Sequence, residues 1–124
     1  MKYLLMVYRS DAEFGKMDAA QRKNVTAEYA AFTQSIVQSG HFKAGDGLQP
    51  VSTATTVRVR DGQPLLTDGP AAELREQVGG YAIIDCPDLD DALKWAVAMP
   101  AARDCSVEVR AIVDTGGGPT GSGR

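Results

Sequence analysis

The stretch that decides the fold is Lys2-Tyr3-Leu4-Leu5-Met6-Val7-Tyr8, together with its later counterpart Tyr81-Ala82-Ile83-Ile84-Asp85-Cys86. Both are short apolar runs, and each predicts a β-strand. Successive side chains of a strand point to opposite faces of its sheet, so these two strands carry apolar groups on both faces. We therefore expect two covered sheet faces, only one of which the chain itself can cover with helices.

A first helix is predicted between these two strands. Asp18 provides an N-cap, and Gln21 stands three residues later in the capping-box position. Apolar residues then recur at spacings of four, three and four, which indicates one helical stripe: Val25, Tyr29, Phe32 and Ile36. Gly40 ends this helix after about 20 residues.

A β-hairpin is predicted in the middle of the chain. Residues 55–60 alternate in a strand pattern, Asp61-Gly62 is a type I′ turn signal, and residues 63–67 return antiparallel. Residues 42–50 are mixed in polarity and are expected to be irregular, with a bend at Gly45-Asp46-Gly47.

A second helix is predicted from Pro87-Asp88 to Pro100, and residues 106–113 form the last strand. The buried stripe expected for this helix consists of Leu89, Leu93, Ala96 and Val97. Trp95 lies off that stripe and is expected at a subunit contact. Residues 1–113 are predicted to form the single domain, and residues 114–124 a flexible Gly-rich tail.

The resulting element order is β-α-β-β-β-α-β, which predicts an α+β fold. It is typical of a ferredoxin-like plait with an added strand or hairpin, in which an antiparallel sheet carries two helices on one face. The other face would leave an apolar patch in water. We expect a homodimer formed through this open sheet face, with a cleft between the subunits that holds a small-molecule ligand.

Composition excludes several classes of partner. The 124 residues include 13 Lys and Arg against 16 Asp and Glu, a net charge of −3 that argues against nucleic acid. No stretch is long and apolar enough to cross a membrane. One histidine, His41, and two distant cysteines, Cys86 and Cys105, make no metal site, and no cofactor is expected. Without a secretory signal the cysteines are expected to be reduced thiols in a cytoplasmic protein.

Three carboxylates that lie close together in the sequence form the first candidate site. Asp68, Glu73 and Glu76 stand beside Arg75. If this loop folds over a cavity, burial and like charge would raise one carboxyl pKa and create a general base. The alternative is a turn at Asp68-Gly69-Pro70 in which the Asp side chain caps backbone N–H groups, with the following acids solvated.

The last strand carries the second candidate site. Glu108 and Arg110 share a face opposite the neighbouring valines, so helices on the valine face would direct the pair into the dimer cleft. There Arg110 could bind an anionic ligand with Glu108 holding it, and Tyr8 could line the cavity mouth. The alternative is an ion pair that sets the register of the dimer.

The chain resembles the YCII-related family, and in particular its branch named for an Asp-Gly-Pro-Phe (DGPF) motif. The resemblance rests on these segments: Met1-Lys2-Tyr3-Leu4-Leu5, Gly47-Leu48-Gln49-Pro50, Thr55-Thr56-Val57-Arg58, Thr67-Asp68-Gly69-Pro70, Glu73, Glu76-Gln77, Gly79-Gly80, Pro87-Asp88-Leu89-Asp90-Asp91-Ala92 and Glu108-Val109-Arg110. Ala71 stands where the motif has Phe, and the smaller residue would enlarge a pocket or loosen the loop.

The resemblance implies a dimeric α+β barrel and no general activity. Related barrels act as lyases and isomerases, and some relatives have a His–Asp pair to which His41 does not correspond. Members of the branch often accompany alternative sigma factors. Our leading hypothesis is a small-molecule-binding protein, acting as a cofactor-independent lyase or isomerase with Asp68 as base, and Glu73 or Glu76 in support. The alternative is a non-catalytic accessory or regulatory module.

Overall fold

Ten regular elements are formed by residues 1–115, the part of the chain that this computed structural model describes; most of the predicted tail lies outside the described residues. The strands are β1 (Lys2–Arg9), β2 (Phe42–Gly47), β3 (Thr55–Arg60), β4 (Gln63–Asp68), β5 (Gln77–Asp85) and β6 (Ser106–Ala111). The helices are α1 (Asp11–Gly15), α2 (Ala19–Ser39), α3 (Leu89–Ala98) and α4 (Ala101–Asp104). A 3₁₀ turn, Val51–Thr53, precedes β3.

The main sheet is antiparallel with the strand order β2-β5-β1-β6. Residues paired across β1 and β5, such as Tyr3 with Ile84 and Leu5 with Ala82, are buried against the helices. Their neighbours Leu4 and Ile83 point to the other face. The predicted α+β plait with helices on one face is confirmed, and an open sheet face remains.

Helix α2 confirms the predicted capping residues. The Asp18 carboxylate accepts the backbone N–H of Gln21 at 2.8 Å, and the Gln21 side chain accepts the N–H of Asp18 at 2.9 Å. Gly40 ends the helix at a φ of 83°, in the left-handed region that glycine adopts without steric cost. Of the predicted stripe only Ile36 is fully buried, and the other three members are half-buried.

The predicted buried stripe of α3 is wrong in three of its four residues. Ala92 and Ala96 are buried, whereas Leu89, Leu93 and Val97 are exposed. The helix lies close to the sheet on its small alanine side, which turns the larger aliphatic side chains toward solvent.

Trp95 is half-buried and packs against the core, from which the predicted stripe of α3 excludes it. Its ring is edge-on to Phe32 at 6.2 Å and to His41 at 6.3 Å between ring centroids. The alanine side of α3 allows this close approach of the indole to α2.

The segment after α2 also differs from the expectation. Residues 42–47 form an edge strand instead of a bend, because β5 supplies backbone partners for this weakly patterned segment. Gly45 is required there, since a Cβ would lie 2.9 Å from the Tyr81 carbonyl oxygen.

The predicted hairpin exists as β3 and β4, but it forms a separate two-stranded sheet. Its Asp61-Gly62 turn has φ values of 51° and 75°, as a type I′ turn needs. The hairpin is therefore the addition to the plait, and β2 is the second strand of the plait itself.

Candidate functional site

A cavity of the described chain lies within the subunit, between α2 and the helix-covered face of the sheet. Its volume is about 690 Å³. Three half-buried residues of the α2 stripe, Val25, Tyr29 and Phe32, line one wall. The opposite wall comes from β1, β2 and β5, and the ends from the α1 region and α4.

Small residues explain why this space is empty. Gly45 and Ala82 are paired across β2 and β5, and Gly80 is paired with Val7 of β1. A Cβ on Gly80 would lie 3.1 Å from the Asp46 carbonyl oxygen, so the backbone approach there leaves no room for a larger residue. The side chains of the sheet therefore fill little volume at this position. The cavity lies between them and the N-terminal half of the α2 stripe.

Arg9 is held rigidly at one side of the cavity. Its Nε donates to Asp11 Oδ1 at 3.0 Å, and its Nη2 donates to the Leu48 carbonyl at 3.2 Å. The guanidinium also lies 5.1 Å from the centre of the Phe14 ring, within cation–π distance. The side chain of Arg9 crosses Gly79, where a Cβ would come within 2.8 Å of it.

A second polar group lines the same side. Ser10 is buried, and its Oγ accepts the backbone N–H of Glu13 at 3.3 Å. The Lys16 ammonium, 3.0 Å from the Glu13 carboxylate, lowers the pKa of Glu13 below its ordinary value, and Arg75 lowers it further. The Ser10 hydroxyl proton remains available to a ligand that offers an acceptor.

The far wall combines α2 and α4. Arg103 donates to Glu28 at 2.8 Å, which joins the two helices across the cavity. Burial raises the pKa of the Tyr29 hydroxyl, which lines this wall. Cys105, half-buried and free, completes the lining here. The site is thus a cleft whose aromatic and aliphatic walls also carry charged side chains.

The open sheet face holds the second set of predicted residues. The Tyr8 hydroxyl donates to Glu108 Oε1 at 3.0 Å, and Arg110 Nε lies 4.0 Å from the other Glu108 oxygen. The hydrogen bond to Glu108 is the largest cause that raises the pKa of Tyr8. Val107 and Val109 pack toward the core, so Glu108 and Arg110 face away from the helices. The structure brings these three predicted residues together.

The three predicted acids differ in their exposure. Asp68 and Glu73 are exposed, and in the described part of the chain the Asp68 carboxylate accepts no hydrogen bond and forms no ion pair. Glu76 is half-buried, lines the cavity and accepts a hydrogen bond from the Ser106 hydroxyl at 3.3 Å. Glu76 is therefore the one predicted acid that borders the cavity.

Residues 1–115 contain no group of three His, Cys, Asp or Glu side chains that could hold a metal ion. His41 Nδ1 lies 2.9 Å from the Asp85 carbonyl oxygen, and since a carbonyl only accepts, Nδ1 carries a proton. This bond ties the end of α2 to the end of β5. Among the same residues, none of the helices combines the length and apolar character needed to cross a membrane.

Comparison with known proteins identifies the family of the chain. The family model of the YCII-related domain matches residues 1–115, and the chain belongs to that family. An uncharacterized protein of Rhizobium meliloti (strain 1021) is 30% identical over 112 residues, which cover 89% of this chain and 90% of the relative.

The cavity residues outside the predicted set were missed by sequence reasoning. The signal that could have identified them is the combination of an apolar helix stripe with glycine and alanine on the paired strands. That combination becomes visible only when the register of β2 against β5 is known, and β2 was not predicted as a strand.

Proposed function

We propose that this protein binds a small molecule in the cavity between α2 and the sheet. The observation that carries the proposal is the cavity of about 690 Å³, whose lining combines aromatic and aliphatic side chains with charged ones. Ligand sites typically measure about 300–1,000 Å³, so the cavity has the volume of a small-molecule site. The fixed Arg9 and the buried Ser10 hydroxyl would orient a polar end of the ligand.

We further propose that the protein catalyses an acid–base reaction on the molecule bound in this cavity. Glu76 supports it, since this carboxylate borders the cavity, while Asp68 and Glu73 are exposed. We also assign the chain to the Asp-Gly-Pro-Phe branch of the family, because it contains Asp68-Gly69-Pro70, although Ala71 replaces the Phe of the motif. A cofactor-independent lyase or isomerase would therefore use Glu76 in preference to Asp68 as its base.

The homodimer through the open sheet face is part of the same proposal. Leu4, Met6 and Ile83 form the apolar centre of that face, and the Tyr8–Glu108 and Tyr81–Asp46 hydrogen bonds flank it. Two such faces packed together would enclose a cleft between the subunits, with Arg110 at its edge as an anion contact. Each subunit would then offer its own cavity as well as the shared cleft.

Fluorescence titration with N-phenyl-1-naphthylamine, an uncharged apolar probe, tests where a ligand binds. We expect saturation at one probe per chain, and a dissociation constant at least about tenfold higher for Val25→Trp, whose indole would fill the cavity. Met6→Gln on the open face is the matched control and should leave the affinity unchanged. Loss of binding in the control but not in Val25→Trp would place the site on the open face and refute the cavity.

The second candidate is a non-catalytic accessory or regulatory module. It is favoured by the exposed aliphatic stripe of α3, in which Leu89, Leu93 and Val97 are 49%, 42% and 76% exposed. If the titration shows no saturable binding of the probe, the result would favour this second function over ligand binding.

A further inference from the structure

A β-bulge accommodates a positive charge at the helix-covered side of the sheet. The register of β1 against β5 shifts between Val7 and Tyr8, which leaves Gly79 of β5 without a paired residue in β1. The Arg9 side chain crosses this extra glycine, and a Cβ there would lie 2.8 Å from Arg9 Cδ and Nε. Bulges are frequent beside active sites, where they redirect side chains. The bulge and its glycine together make room for the Arg9 guanidinium in the lining of the cavity.

Arg9 and its neighbour Ser10 have hydrogen-bond donors that the protein does not use. Arg9 Nε donates to Asp11, and Nη2 donates to the Leu48 carbonyl. Nη1 donates to no group within residues 1–115. The buried Ser10 hydroxyl accepts the backbone N–H of Glu13, which leaves its own proton free. Both side chains therefore offer donors to an acceptor in the cavity.

Arg75 supplies a second guanidinium to the lining of the same cavity. In the part of the chain that the structure describes, this guanidinium forms no hydrogen bond and no ion pair. The backbone that carries it is held in place, because Gln77 Nε2 donates to the carbonyl oxygens of Ala72 at 2.7 Å and Leu74 at 3.2 Å. The cavity thus has an unpaired positive charge at its edge.

The two guanidiniums border the same end of the cavity, next to α1. Arg9 lies 5.1 Å from the centre of the Phe14 ring of α1. Lys16 has the largest effect in lowering the pKa of Glu13, also in α1, and the charge of Arg75 lowers it further. A single anionic group beside α1 would therefore be attracted by both Arg9 and Arg75.

The lining contains five acids and three arginines, but the acids are already engaged by protein groups. Four of them accept a hydrogen bond or form an ion pair within the chain: Glu13, Glu28, Asp46 and Glu76. The fifth, Asp104, follows Arg103, whose pKa is raised first by Glu28 and also by Asp104. The unused hydrogen-bonding capacity therefore consists mainly of donors, and a negatively charged acceptor would complement it best.

We propose that the ligand of the cavity is a carboxylate with an aromatic or aliphatic body, and that Arg9 and Arg75 bind its carboxylate group. The proposal rests on the ligand binding proposed above and names the chemical class of the ligand. The body of the ligand would pack against the α2 stripe, where Val25, Tyr29 and Phe32 line the wall. The Ser10 hydroxyl would donate to the same carboxylate as the two arginines.

Isothermal titration calorimetry with 2-naphthoate and 2-naphthamide at neutral pH tests the proposal. The two compounds have the same ring system and nearly the same shape, and only the naphthoate carries a negative charge. We expect the wild type to bind naphthoate at least about fivefold more tightly than naphthamide, and Arg75→Gln to reduce this ratio below about twofold. Arg60→Gln removes the same charge from the exposed hairpin, which does not line the cavity, and should leave the ratio unchanged.

Gly79→Ala is a second variant, and it keeps every charge. Its Cβ would displace the Arg9 side chain, so it should also reduce the ratio. Equal affinity of the wild type for the two compounds, or tighter binding of naphthamide, would overturn the proposal. A ratio that survives both Arg75→Gln and Gly79→Ala, or that Arg60→Gln lowers as much as Arg75→Gln, would overturn it as well.

The neutral probe separates this proposal from the function on which it rests. If N-phenyl-1-naphthylamine binds in the cavity while naphthoate shows no preference or no binding, the carboxylate class is wrong and ligand binding stands. If neither the probe nor the two naphthalene compounds bind saturably, both proposals are refuted.

Discussion

Val25→Phe and Ile36→Phe are expected to change stability in opposite directions, although both residues belong to the same stripe of α2. Val25 is half-buried beside the cavity, whereas Ile36 is fully buried. Phe has on the order of 50 Å² more apolar surface than Val, and its burial in empty space contributes about 1 kcal/mol. At Ile36 there is no space, so the same side chain overpacks the core and costs about 1–3 kcal/mol. Helix propensity favours neither outcome, because Val, Ile and Phe differ little.

Urea unfolding followed by circular dichroism measures this difference directly. We expect the transition midpoint to rise for Val25→Phe and to fall for Ile36→Phe, with an unchanged slope in both cases. Val25→Ala provides a check on the same site. Because Val25 is only half-buried, this substitution should lower the free energy of unfolding by less than Ile36→Ala does. If Val25→Phe destabilises as strongly as Ile36→Phe, α2 is packed onto the sheet in solution and the argument for the cavity fails.

Three further predictions concern the helix cap, the hairpin and the tyrosines. Asp18→Ala should cost about 1 kcal/mol in the free energy of urea unfolding, since it removes one half of the capping box, and a change below about 0.3 kcal/mol would contradict this. Asp68→Asn should change that free energy by less than about 0.5 kcal/mol, because the carboxylate is exposed and caps nothing; a loss of about 1–2 kcal/mol would restore the turn-cap interpretation. All four tyrosines have a pKa raised above 10.0. Hydrogen bonds to carboxylates are the main cause for Tyr8 and Tyr81. Burial is the main cause for Tyr3 and Tyr29. Since the folded pKa exceeds the unfolded one, their contribution to stability is complete below pH 10 and is lost as the pH rises through the folded values. Absorbance at 295 nm should therefore titrate at higher pH in the folded chain than in urea, and coincident curves would contradict the raised values.

Local chemistry made several elements predictable. The capping box of α2 needs only Asp18 and Gln21 three residues apart, and Gly40 supplies the left-handed end. The Asp61-Gly62 turn is equally local, because its two residues tolerate positive φ. The alternation along β6 correctly separated Glu108 and Arg110 from the valines that pack toward the core.

Packing between distant elements accounts for the errors. Size and hydrophobicity favour the leucines and Val97 as the buried stripe of α3, yet the helix buries Ala92 and Ala96 because close approach to the sheet favours small side chains. Strand β2 has a weak pattern of its own and exists because β5 offers it backbone partners. The acids near Asp68 are close together in the sequence, whereas the structure leaves two of them exposed to solvent and one at the cavity.

The amino-acid sequence by itself determined the α+β class, the long capped helix, the hairpin turn and the membership of Tyr8, Glu108 and Arg110 in one sheet face. These features depend on periodicity and on contacts within a few residues. Only the tertiary structure decided where the cavity lies, because the void arises where the α2 stripe meets the small residues Gly45 and Ala82, which belong to strands far apart in the chain. Because the cavity is bounded by two surfaces, one from α2 and one from the sheet, no single segment of the sequence predicts it.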